Sequence, residues 1–111
     1  MRNWYTIKAA ADKTAEIYIY EEIGDFWGEG VAARTFVKDL TALKVSLINL
    51  RINSPGGNVF DGFAIYNALV RHPARVLVDI DGLAASAASY VALAGNEIRM
   101  AQNASIMIHN P

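Results

Sequence analysis

Three features of the sequence could together form a site for nucleophilic catalysis: Ser86, the Ser-Pro-Gly-Gly segment at 54–57, and His109. Ser86 lies in a stretch rich in small residues, 81–96, which directly follows the alternating apolar run 76–80. A strand, a glycine turn and a helix that begins near a serine is how several hydrolase folds expose a nucleophile. The first amides of such a helix supply positive potential where an oxyanion forms. This spacing indicates Ser86 as a candidate nucleophile.

Each feature also has an ordinary structural interpretation. Ser86 is surrounded by alanines, and a serine in a tightly packed helix often only bonds a backbone carbonyl. The segment 54–57 could be a simple turn, or a glycine amide there could point into a site as an oxyanion donor. His109 follows an apolar strand, where it could be structural or could be the base that a serine nucleophile needs. The residue types alone leave these alternatives open.

Four polar residues close to these features are expected to be structural. Ser89, one helical turn after Ser86, is interpreted as a packing serine. His72 is predicted to end a helix and to interact with the helix dipole. Asp79 is expected on a strand face or at an interface, and Asp81 in a turn.

The composition indicates one domain that has more apolar surface than a core of its size can bury. Of 111 residues, 53% are hydrophobic and 19% are charged, so we expect burial against other subunits or against a missing part of the domain. The net charge of −1 argues against a nucleic-acid partner, and the absence of cysteine excludes disulfides and thiolate chemistry. The N-terminus lacks the apolar core of a signal peptide, and the run 83–94 is too short and too rich in alanine and serine to cross a bilayer. We therefore predict a soluble, cytoplasmic protein without a membrane partner.

The periodicity of apolar residues predicts an α/β domain with a largely parallel sheet. The predicted strands are 4–9, 15–20, 45–52, 74–80, 97–100 and 105–108, and the predicted helices are 31–44, 58–72 with Asn58 as N-cap, and a third that ends at Ala94. Segment 21–30 is predicted to be a loop with Phe26 and Trp27 buried. Three helices barely cover both faces of such a sheet, and the sequence stops directly after a short strand, so we expect a C-terminally truncated domain.

In this order, the motifs closely resemble the Clp protease proteolytic subunit family, ClpP. The likeness runs in register from about Leu47 to Pro111, and residues 22–28 are more similar to phage and prophage members, often called head maturation proteases. The segments that carry it are Ile52-Asn53-Ser54-Pro55-Gly56-Gly57, Asp61-Gly62-Phe63-Ala64-Ile65-Tyr66, Gly82-Leu83-Ala84-Ala85-Ser86-Ala87 and Ile106-Met107-Ile108-His109-Asn110-Pro111.

This resemblance implies a serine peptidase with a ClpP/crotonase-like fold, a spiral of β-β-α units with a largely parallel sheet. By this likeness Ser86 is the nucleophile, His109 is the general base, and the amides of Gly57 and Ala87 form the oxyanion hole. The residues implied to border the substrate are Pro55, Gly56, Asn58 and Val59.

The resemblance also implies polypeptide substrates and a homo-oligomeric ring, a heptamer or double heptamer. Many members receive unfolded polypeptide from an AAA+ ATPase, and neither a metal nor an organic cofactor is implied. The family position that is methionine in many members is Ala87 here, where only a backbone amide is required.

The sequence departs from the family pattern after the histidine. In the family the third triad member, an aspartate, and the ring-to-ring helix and strand all lie downstream of the histidine, whereas this chain ends two residues after His109. We therefore expect residues 1–111 to be a single head domain whose C-terminal part is missing. A histidine without an orienting carboxylate loses about 10⁴ in kcat in the serine-protease template, so the activity of this chain is left open.

Three alternatives are kept beside the peptidase. An inactive assembly or scaffold fragment predicts oligomers without hydrolysis. A crotonase-type acyl-CoA enzyme shares the fold but needs no serine at 86, and the few basic residues beyond Lys44 favour it little. A signal-peptide-peptidase-like protease shares the segment 54–57 but uses a lysine base, and no lysine follows Lys44.

Overall fold

The computed structural model describes residues 3–24 and 32–108 of the chain. Within these residues, six strands and three helices follow one another in the predicted order, and the predicted ends shift by a few residues. The elements are β1 (Tyr5–Ala10), β2 (Thr14–Ile19), α1 (Ala33–Thr41), β3 (Leu47–Ser54), α2 (Val59–Arg71), β4 (Arg75–Ala85), α3 (Ala87–Ala92), β5 (Glu97–Met100) and β6 (Ser105–Met107). The predicted burial of Phe26 and Trp27 concerns residues that lie outside the described part of the chain.

The strands form one mixed sheet in which only β1 runs antiparallel to its neighbour. Strands β2, β3, β4 and β5 are parallel and follow one another across the sheet. Strand β4 is the longest strand of the sheet and pairs with two strands on the same side. Its first half pairs with β5, and its last three residues pair with β6. The predicted α/β class with a largely parallel sheet is confirmed.

The core lies on one face of the sheet, and the three helices contribute to it. The aliphatic side chains that alternate along β2, β3 and β4 are fully buried, and Phe36, Leu40, Ile65, Leu69 and Val91 of the helices belong to the same cluster. Helix α2 begins where the sequence predicts, because the Asn58 side chain accepts a hydrogen bond from the Asp61 amide at 3.0 Å. A short turn, residues 55–58, therefore connects the end of β3 to the start of α2.

The opposite face carries a ladder of charged side chains. Asp79 accepts two hydrogen bonds of 2.8 Å from Arg99 and one of 2.9 Å from Asn49. Asp81 is held by Arg51, with a shortest contact of 2.7 Å, and by the hydroxyl of Tyr20. The prediction of a turn at Asp81 is therefore wrong, because β4 continues through this residue and its carboxylate contacts Arg51 on the neighbouring strand. Hydrogen bonds from Arg99 above all hold the pKa of Asp79 below its usual value.

Candidate active site

The turn at Ser86 joins the end of β4 directly to the start of α3. Ser86 has φ 52° and ψ −123°, a left-handed conformation that residues with a side chain rarely adopt. Strain of this kind concentrates at functional turns, and a strained turn between a strand and a helix is how α/β-hydrolases expose a serine. The side chain of Ser86 is half-buried. Because α3 has only six residues, it offers individual amides rather than a large dipole.

The glycine turn predicted before Ser86 is not present, because Gly82 lies inside β4. The register between β3 and β4 is irregular at this point: Ile52 pairs with Ile80, but Ser54 pairs with Ala84. The Asn53 side chain fills the irregularity and accepts a hydrogen bond from the Leu83 amide at 3.1 Å. A Cβ at Gly82 would lie 2.6 Å from the Asn53 Oδ1, so a larger residue there would displace the Asn53 side chain from this position.

Hydrogen bonds fix the main chain of Ser86 on both sides. Its amide donates to the carbonyl of Met107 in β6 at 2.9 Å. Its carbonyl accepts from the Ser89 amide at 2.9 Å and from the Ser89 hydroxyl at 2.5 Å. The turn is thus held by β6 and by the first turn of α3.

The segment 54–57 forms a second turn, which is attached to the chain near Ile23. The buried Ser54 hydroxyl donates to the Glu21 carbonyl at 2.7 Å and accepts from the Gly56 amide at 3.1 Å. The Ile23 amide donates to the Gly56 carbonyl at 2.7 Å. Gly56 and Gly57 have φ 110° and 151°, so glycine meets a conformational requirement at both positions.

The two turns touch each other at Gly56. A Cβ at this position would lie 2.7 Å from the Ala85 carbonyl oxygen, 2.8 Å from the Ser86 Cβ and 3.2 Å from the Ala87 amide nitrogen. The absence of a side chain at Gly56 therefore lets the main chain of this turn pack directly against Ser86 and the Ala87 amide nitrogen.

Two backbone amides of these turns have no acceptor among the residues that the structure describes: those of Gly57 and Ala87. The first amides of any helix lack partners within the helix, and Ala87 is the first residue of α3. A hydroxyl next to free amides is the arrangement that acyl transfer requires, since the nucleophile attacks a carbonyl and the amides stabilise the oxyanion that results.

The sequence profile described as Clp protease matches residues 1–111. The chain belongs to the Clp protease family. It is 34% identical over 109 residues to the ATP-dependent Clp protease proteolytic subunit of Ligilactobacillus salivarius, covering 96% of this chain and 55% of that protein. The chain therefore spans about half the length of this curated relative.

Solved structures agree with this assignment. A variant of ClpP1 from Listeria monocytogenes superposes with a TM-score of 0.70 and 29% identity, over 90% of this chain and 57% of that one. An enoyl-CoA hydratase from Mycobacterium avium subsp. paratuberculosis superposes with a TM-score of 0.72 but only 15% identity, over 94% of this chain and 49% of the other. The second likeness shows the fold alone, and the ClpP/crotonase-like class predicted from the sequence is confirmed.

The fold brings some of the predicted Clp-type site residues together. Ser86 and Ala87 lie against Gly56, and Gly57 follows in the same turn. The remaining predicted substrate-bordering residues are Pro55, which is exposed, Asn58, which is the N-cap of α2, and Val59, which is half-buried at its start.

His109 lies outside the described residues, two positions after Met107 in the sequence. Its predicted role stays a prediction. His72 ends α2 as expected, but its ring contacts the main chain: Nδ1 accepts from the Ala74 amide at 3.0 Å, and the Leu43 carbonyl lies 3.1 Å from Nε2.

Two further serines belong to the surroundings of the site. Ser54 was considered only as part of a turn and Ser89 only as a packing residue, yet each makes hydrogen bonds to the main chain of a turn at the site. The signal available in the sequence is that each hydroxyl lies two or three positions from a candidate residue, which is the distance of local side-chain to backbone bonds.

Neither a metal cluster nor a membrane span is found in the described part of the chain. Over residues 3–24 and 32–108, no group of three or more His, Cys, Asp or Glu side chains could hold a metal ion. No helix of these residues is long and apolar enough to cross a membrane.

Proposed function

We propose that this chain is the nucleophile-bearing part of a Clp-type serine endopeptidase subunit that hydrolyses polypeptides. The observation that carries the proposal is the strained Ser86 turn, which packs against Gly56. The amides of Gly57 and Ala87 in these two turns have no acceptor among the residues that the structure describes. Membership of the Clp protease family supports the same reaction class. The proposal treats residues 1–111 as one head domain of a longer family domain.

In the proposed mechanism, the Ser86 hydroxyl attacks the peptide carbonyl while His109 takes its proton and later returns it to the leaving amine. The amides of Gly57 and Ala87 hold the tetrahedral oxyanion, and one such donor contributes about 2.7–4 kcal/mol in comparable sites. β6 runs beside the Ser86 turn, since Met107 accepts a hydrogen bond from the Ser86 amide, and this supports a role for the residue two positions later.

The substrate is proposed to lie extended along the segment that includes Pro55, Gly56, Asn58 and Val59. The family resemblance implies this location, and the contact of Gly56 with Ser86 supports it. Assembly into rings and delivery of unfolded polypeptide by an AAA+ ATPase are the further parts of this proposal, together with a cytoplasmic location. A finer proposal is a prophage head maturation protease, which predicts cleavage of a capsid or scaffold protein.

The experiment that tests the reaction is intact-mass measurement after treatment with a fluorophosphonate. We expect one adduct on the parent chain and none on Ser86→Ala. Ser46→Ala is the matched control, because it removes an exposed hydroxyl on the far side of the domain and should label like the parent. Absence of an adduct on the folded parent would reject a competent hydrolase and favour the inactive assembly fragment.

A further inference from the structure

Ser89 and Ser54 are the buried polar side chains among the described residues, and Ser89 has no exposed surface. A buried hydroxyl in a helix commonly satisfies itself by bonding a carbonyl three or four residues earlier. For Ser89 this carbonyl belongs to Ser86, with 2.5 Å between the two oxygens. The Ser89 amide donates to the same carbonyl at 2.9 Å. Two donors of one residue therefore hold the carbonyl of the proposed nucleophile.

The peptide unit held in this way is the one that ends in the Ala87 amide. A peptide unit is planar and trans, so its carbonyl and its N–H point in opposite directions. Fixing the Ser86 carbonyl towards Ser89 consequently fixes the Ala87 N–H in the opposite direction, away from the helix. Gly56 packs close to this amide, since a Cβ there would be 3.2 Å from the Ala87 nitrogen.

We propose that Ser89 is a positioning residue whose hydroxyl orients the Ser86–Ala87 peptide, so that the Ala87 N–H points to the place of the oxyanion. The proposal rests on the function proposed above and assigns a role in it to a residue that does not touch the substrate. The hydroxyl also helps to hold Ser86 at ψ −123°, because ψ of this residue sets the plane of the same peptide.

The second proposed oxyanion donor is held in the same manner. The Gly57 N–H belongs to the peptide unit whose carbonyl, that of Gly56, accepts a hydrogen bond from the Ile23 amide at 2.7 Å. Each amide is thus fixed by a bond at the other end of its own peptide. At Ile23 the donor is main chain, whereas at Ser89 part of the restraint is a side chain, which substitution can remove.

The test compares Ser89→Ala with the parent chain and with Ser46→Ala, a serine whose hydroxyl also faces a carbonyl, that of Lys13, far from Ser86. The measured quantity is the rate of fluorophosphonate labelling below the melting temperature of each variant. We expect Ser89→Ala to label about tenfold more slowly, less than the 10²–10³ lost when an oxyanion donor is removed outright. Ser46→Ala should label at the parent rate.

Two further readouts separate positioning from a general loss of structure. The pH profile of labelling should keep its midpoint in Ser89→Ala, because the base is untouched and only the oxyanion site is loosened. Ser89→Thr keeps a hydroxyl that can bond a carbonyl of the preceding turn, and it should restore much of the rate.

The outcomes distinguish this proposal from the one on which it rests. A folded Ser89→Ala that labels at the parent rate overturns the positioning role and leaves the nucleophile intact. Equal slowing of Ser89→Ala and Ser46→Ala also overturns it, because the effect would then be unspecific. A parent chain that does not label overturns the proposed function, and the role of Ser89 with it.

Discussion

Replacing Ser86 with glycine should make the domain more stable while it removes the proposed nucleophile. Any residue with a Cβ at φ 52° and ψ −123° is strained, which costs about 1–3 kcal/mol. Glycine adopts this conformation freely, but it adds about 0.4–1 kcal/mol of entropy to the unfolded chain. The difference predicts that Ser86→Gly is more stable than Ser86→Ala by about 1 kcal/mol. This is the reverse of the usual order of alanine and glycine.

Thermal and urea unfolding of the two variants measure this difference directly. For a domain of this size, about 1 kcal/mol corresponds to a rise in Tm of about 4 °C. Ala88→Gly is the matched control, because it makes the same exchange two residues later, inside α3, where glycine should destabilise by about 1 kcal/mol or more. If Ser86→Gly melts at or below the temperature of Ser86→Ala, the Ser86 turn stores no strain and the argument from its conformation fails.

Three other substitutions test the surroundings of the site and the opposite sheet face. Gly56→Ala places a Cβ 2.7 Å from the Ala85 carbonyl oxygen at φ 110°, so we expect a loss of about 3 kcal/mol in unfolding experiments and no fluorophosphonate adduct. Parent-like labelling would show that the close contact between Gly56 and the Ser86 turn is not needed for the reaction. Arg99 lowers the pKa of Asp79, so the carboxylate stabilises the fold above about pH 4, its ordinary value, and this contribution is lost as the pH falls through the lower folded pKa. The stability difference between the parent and Asp79→Asn, about 1 kcal/mol at neutral pH, should therefore shrink in acid, and a difference that grows there would contradict the ion pair. Asn58→Ala should cost about 1 kcal/mol by removing the N-cap of α2, whereas an unchanged Tm would show that the cap contributes nothing.

The order of helices and strands could be predicted because each element has a clear apolar period or a local end signal. The alternation in β2 and β3 matches their buried face residue by residue, and the Asn58 cap is a local hydrogen bond that the sequence indicates. The extent of β4 could not be predicted in this way. A glycine at such a position usually indicates a turn, whereas Gly82 lies within a strand beside the Asn53 side chain. Such contacts between distant residues leave no periodic signal.

The order of the motifs predicts the candidate site, and the roles of its residues stay predictions. The hydrogen bonds that hold its two turns were not predicted. Nothing in the residue types around Ser89 shows that its hydroxyl would meet the Ser86 carbonyl rather than another one. The attachment of the Gly56 carbonyl to the Ile23 amide is main chain to main chain, and therefore independent of side-chain identity. The charged ladder was partly foreseen, since Asp79 was expected on a strand face, but the pairing partners come from registers that the sequence does not contain.

The site is built mainly from groups that every residue possesses, and this explains why small residues dominate its motifs. Oxyanion donors of this kind are backbone amides, so they need no particular side chain. What these positions require is a small residue or none. Gly56 lets its turn pack against Ser86, since a Cβ there would lie 2.8 Å from the Ser86 Cβ. A Cβ at Gly62 would lie 3.0 Å from the Ala87 Cβ, so a side chain there would push α2 away from the start of α3. Each small residue permits a close approach of two main-chain segments. A single glycine or alanine therefore carries little information about function, whereas their joint placement around one strained serine supports the reaction site proposed above.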